Sequence, residues 1–97
     1  MNGEVVKVVA RVAGGEPQEF DGRFAFTLNA LVEKGESGAT PLDFPTGCRV
    51  AHYVFRLRRD GVGIETIRES HKGNFAGSHA RYRLISPVTI LSREVKA

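Results

Sequence analysis

Between Pro45 and Gly61 the chain carries a helical period whose two faces differ in kind, and this constrains the fold more than any other feature. Val50, Val54 and Leu57 recur at helical spacing as one apolar stripe, widened by Ala51 and Phe55. Arg49, His52, Tyr53, Arg56 and Arg59 occupy the opposite side. Thr46 stands where a cap would begin such a helix, and Gly61 where a glycine would end it. A helix over 46–60 therefore lies on a core by one face and leaves a basic, hydrogen-bonding face free.

Downstream the period shortens to two. Residues 64–69 and 80–85 read as strands joined by residues 70–79, a hairpin with a long glycine-bearing tip. In the second strand Tyr82 and Leu84 point one way and Arg81 and Arg83 the other, so one face packs and one is cationic. Upstream, Val5, Val6, Val8, Val9 and Val12 predict a strand over 4–13, which Gly14, Gly15 and Pro17 end, with a loop running through Glu19. Asp21 is placed to cap a helix over 23–34 whose stripe is Phe24, Leu28, Leu31 and Val32, and Gly35 stops it. Thr40 followed by Pro41 reads as a cap with proline at the first helical position, but Pro45 limits this second helix to about a turn. A further short strand is expected over 88–91, beside the N-terminal one. Phe24, Phe26, Phe44, Phe55 and Tyr82 are expected in the core.

A chain of 97 residues holds one core, so a single domain over 1–97 is expected, centred on 22–86, with a leading strand at 4–13 and a C-terminal extension at 87–97. At 41% apolar and 26% charged residues the composition is that of a globular chain. The longest apolar stretch, 5–13, is broken by Lys7 and Arg11 and falls well short of the roughly 20 residues a membrane span requires. No secretory pattern opens the chain, and the cytoplasm is the expected compartment. Cys48 alone forms no internal disulfide, and one Cys with three dispersed His does not assemble a zinc site. The net charge of +3 conceals a division: residues 49–83 hold eight Lys and Arg against three Asp and Glu, a balance of +5 that leaves −2 elsewhere. Clustered cations of this kind attract a polyanion by displacing its condensed counterions.

The run RVAHYVFRLRRDGVGIETIR from Arg49 to Arg68, closing with Ala80-Arg81-Tyr82-Arg83-Leu84, resembles small bacterial and phage-type winged helix-turn-helix proteins. In these an LRxxGxxIETxR segment joins the recognition helix to the wing, and a YRL strand returns. The likeness covers roughly residues 22–86. It implies an α+β winged helix-turn-helix fold of three helices, the second short, with a two-stranded wing. The extra N-terminal strand and the shortened second helix depart from the pattern, and the second helix is the one that normally braces the third.

The same resemblance implies a DNA-binding transcriptional regulator whose partner is double-stranded DNA. Its third helix would enter the major groove, where arginine bonds guanine in bidentate fashion. On that reading Arg49, His52, Tyr53, Arg56 and Arg59 of the recognition helix meet bases or phosphates. From the wing, His71, Lys72, Asn74, His79 and Arg81 meet phosphates or an adjacent minor groove. Two roles are open to Arg58 and Arg59: clamping the DNA backbone, or pairing with Glu65 and Glu69. One small module binds with limited affinity, so a homodimer or a protein partner is expected, with the apolar terminal strands as interfaces.

An enzyme is not expected, nor a cofactor. The sequence shows no nucleophile beside a base, no carboxylate pair and no phosphate-cradling glycine loop leading into a helix. The competing class is a protein-interaction module on the same scaffold without DNA binding, since fold does not fix function. The short second helix favours it.

Overall fold

The computed structural model describes residues 4–45, 49–71 and 77–96. The valine-rich start forms β1 (Glu4–Val12), with Val8, Ala10 and Val12 buried on one face as period two requires. The glycines after it make a hairpin turn and not a loop, because Pro17–Asp21 returns as β2, antiparallel to β1. This corrects the expected loop through Glu19. The strand is largely polar because it lies at an edge, where only Phe20 reaches the core and Pro17 costs no ladder bond.

Helix α1 (Gly22–Lys34) buries Ala25, Thr27, Leu28, Asn29 and Leu31. Asp21 sits at its cap position with extended backbone but makes no side-chain cap bond, its carboxylate lying 3.8 Å from Lys7 Nζ instead. Expectation and structure part at the next element. The described residues contain two α-helices, not three, and the expected second helix is a single 3-10 turn, Pro41–Asp43. Thr40 caps this turn by accepting from Leu42 N–H, while its own N–H donates to Asp43 Oδ2 at 2.8 Å. Pro45 ends it by forcing Phe44 into extended backbone (φ −121°, ψ 157°).

Helix α2 (Val50–Arg59) buries Val50, Val54 and Leu57. Thr46 and Cys48 lie outside the described residues, and Arg49 occupies the cap position. At the other end Gly61, at φ 98°, lets Val62 N–H reach Leu57 O (3.0 Å) and its own N–H reach Arg58 O (3.1 Å), closing the helix with buried Val62 against its last turn. Strands β3 (Ile64–His71) and β4 (Gly77–Leu84) pair antiparallel from Ile64 opposite Leu84 to His71 opposite Gly77. The connection after α1 joins them, for Ala39 and Tyr82 exchange two backbone hydrogen bonds of 2.8 Å.

Strand β5 (Val88–Lys96) is longer than the short strand expected over 88–91 and completes a three-stranded sheet of order β2-β1-β5. The N-terminal strand is thus central and paired on both sides, which removes it as an interface. Helix α1 lies on this sheet and carries α2 and the β3–β4 hairpin on its other side. One core cluster, running from Val8 through Leu28 and Leu31 to Val54, Leu57, Ile64 and Tyr82, joins all of these elements. Among the described residues no helix is long and apolar enough to cross a membrane.

Candidate nucleic-acid interface

The buried stripe of α2 settles which side chains face outward. With Val50, Val54 and Leu57 against the core, the exposed residues are Ala51, His52, Phe55, Arg56, Arg58 and Arg59. Ala51 and Phe55 were expected to widen the apolar stripe, and Phe55 to join the core; instead the ring is 56% exposed. Each residue turns the helix by about 100°, and a core only three residues wide does not extend to either position.

Tyr53 is half-buried and meets the ring of Phe24 edge-on, with centroids 5.3 Å apart. His52 lies 5.5 Å from Tyr53, and the Cζ of Arg56 stands 5.1 Å from the centre of the Phe24 ring. Phe24 of α1 therefore stands beside three of the predicted binding residues, His52, Tyr53 and Arg56, and meets the guanidinium without neutralising it. Arg59 rests in the same manner on Phe55, at 5.9 Å.

Arg58 does not pair with Glu65 or Glu69. Its Nε and Nη2 donate to Ile64 O at 3.0 and 2.8 Å, and Nη2 also donates to Thr66 Oγ1 at 2.7 Å. The last turn of the helix is thereby pinned to the first residues of the wing. Glu65 and Glu69 pair with arginines of β4: Arg83 with Glu65, and Arg81 with Glu69 at 2.7 Å. The expected cationic face of the hairpin is consequently neutralised by the opposite strand. Arg81 also donates to Ser37 O at 3.0 Å, and Glu69 holds its guanidinium more firmly protonated than an ordinary arginine. Arg81 thus braces the wing against the chain that follows α1.

Of the other wing candidates, Lys72 and Asn74 lie outside the described residues. His71 and His79 are placed by backbone register only, His71 opposite Gly77 and His79 opposite Glu69. A cation absent from the sequence-predicted set takes its place beside them: Arg68 is exposed, stands opposite Ala80, and is the wing's described arginine with no acidic partner. The available signal was the small residue facing it across the strand pair.

Among the described residues no carboxylate pairs with Arg49, Arg56, Arg59 or Arg68. Positive charge is therefore uncompensated on the outer face of α2 and the adjoining strand. At the start of α2, Arg49 and His52 line an open cleft of about 360 Å³ with Pro41, Val50, Ala51 and Tyr82. No acidic residue stands in the first turn of the helix, so its N-terminal backbone dipoles add to the positive potential there. Nearby, Asp43 is held below the usual carboxylate pKa, chiefly by the Thr40 N–H and then by Lys34 Nζ at 3.2 Å, with partial burial opposing. It stays charged as a structural acceptor. No group of three His, Cys, Asp or Glu that could hold a metal ion occurs among the described residues.

The sequence model of a protein family described as a winged helix domain matches residues 17–94, from the first residue of β2 into β5. No curated protein and no solved structure matches the chain.

Proposed function

We propose that this chain, which belongs to the winged helix domain family, binds double-stranded DNA and acts as a transcriptional regulator. The observation that carries this reading is the set of guanidinium groups of Arg49, Arg56 and Arg59, without acidic partners among the described residues, at the cap and on the outer face of a helix whose opposite face is locked in the core. A helix held in this way enters the major groove, where Arg49 and His52 at its leading end reach base edges and Arg56 and Arg59 reach guanine or the flanking phosphates. Arg68 of β3 follows the backbone alongside. A second copy, which would raise the affinity of a one-module binder, joins along the outer edge of β5, where Leu91 and Val95 are exposed.

Titration of the protein with random duplex DNA at several salt concentrations tests the reading. Binding is expected at low salt, with a steep salt dependence. Arg49→Ala/Arg56→Ala should lower the slope of log K against log salt by about one unit for each phosphate that is no longer neutralised. Absence of binding by the wild type at low salt would sink it. Leu42, 90% exposed on the 3-10 turn before α2, favours a second reading, a protein-interaction module on the same scaffold. Under that reading the duplex titration is flat.

A further inference from the structure

Five large apolar side chains are exposed among the described residues: Leu42, Phe55, Ile85, Leu91 and Val95. Phe55 alone of these stands on α2, with Arg56 and Arg59 beside it and Ala51 one turn earlier on the same side. An aromatic ring on such a surface costs hydration free energy unless something covers it. Its fold neighbours do not, since α2 rests on the core by its other face and the Arg59 guanidinium touches the ring without burying it.

The surroundings specify what fits. An apolar pocket of a protein would have to desolvate Arg56 and Arg59, which have no acidic partner among the described residues to offset that cost. The major groove of DNA offers both halves of the complement together: guanine and phosphate oxygens for guanidinium groups, and the C5-methyl of thymine as its apolar projection.

Granting that α2 binds duplex DNA as proposed above, we infer that Phe55, with Ala51, forms an apolar strip that reads thymine methyl groups, and that Arg59, held on the ring, meets a guanine at a neighbouring step. Phe55 is then a specificity residue, distinct from the cations that supply affinity. The strip recognises a methyl group, so its target is defined chemically: a thymine whose replacement by uracil removes the methyl while leaving every Watson–Crick hydrogen bond in place.

The experiment begins with selection of bound sequences from a random duplex pool by the wild-type chain. Each thymine of the selected duplex is then replaced by deoxyuridine, one at a time, and affinities are measured for wild type, Phe55→Ala and Phe55→Leu, each checked for a wild-type thermal melt. For the wild type, affinity should fall about fourfold at one or two thymines, the loss expected when one methyl group is no longer buried. Phe55→Ala should bind the thymine and uracil duplexes equally at those positions, and Phe55→Leu, still apolar, should keep part of the preference. Wild-type binding that ignores every replacement, or a loss in Phe55→Ala equal to that in the wild type, overturns the inference while leaving duplex binding intact. Absence of binding to any duplex at low salt overturns both.

Discussion

Thr27 is the residue whose environment fits it least. It lies on the buried side of α1 with no exposed surface, and its Oγ1 finds no hydrogen-bond partner among the described residues. A hydroxyl sealed in this way has lost water without replacement, so Thr27→Val, which keeps the branched shape, should stabilise the protein by about 1 kcal/mol. In a thermal melt that corresponds to a rise of roughly 4–8 °C for a domain of this size. Asp43 is the opposite case, a charge that the fold favours. Its pKa is depressed in the folded state, first by the Thr40 N–H, so it adds stability above the unfolded value of about 3.9 and loses it as pH falls through the folded one. Urea unfolding should show Asp43→Asn less stable than the wild type at pH 7, and the gap should close as pH drops below about 4.

At the scale of elements, the critical joint is the approach of the chain after α1 to the wing. Gly38, at φ 74° and ψ 174°, occupies backbone essentially confined to glycine, and a Cβ there would stand 2.8 Å from the Tyr82 carbonyl oxygen. Gly38→Ala should therefore cost at least about 2 kcal/mol, read as a lowered urea midpoint, and should loosen the Ala39–Tyr82 bridge. What was legible in the sequence is what local chemistry decides: the Val50, Val54, Leu57 stripe, the Thr40 cap and the Gly61 stop. The outward aspect of Phe55 was not, because an amphipathic period gives the direction of the buried face but not its width. Nor were the Arg81–Glu69 and Arg83–Glu65 pairs, which depend on strand register and on no local signal. Strand β2 was hidden for a related reason: an edge strand facing solvent needs only one apolar residue, and Phe20 alone does not establish an alternation.

Across the whole molecule, the two sheets differ in what they expose. The β3–β4 hairpin and α2 with its cap residue carry Arg49, Arg56, Arg59 and Arg68, whereas the β2-β1-β5 sheet ends in a strand nine residues long with an open outer edge. Arg93 of that strand donates to buried Asn29 of α1 at 2.5 Å, so the sheet is tied to the helix that carries α2. If two copies join along β5, Leu91→Glu/Val95→Glu should raise the dimer dissociation constant at least about tenfold by placing charges on the edge, as measured by sedimentation equilibrium. The monomeric variant should still melt cooperatively, because neither side chain belongs to the core.

The grip of Arg58 on Ile64 and Thr66 has a last consequence. With one guanidinium joining the end of α2 to the root of the hairpin, the angle between them is set before any partner arrives, in the manner of a fixed caliper. A caliper measures. On the DNA-binding reading proposed above, the two arms together would accept one spacing between a groove and its bordering backbone, and a double helix of another form presents a different spacing. Duplex RNA, whose major groove is deep and narrow, should for this reason be bound more weakly than DNA of the same sequence even where its phosphates are equally charged.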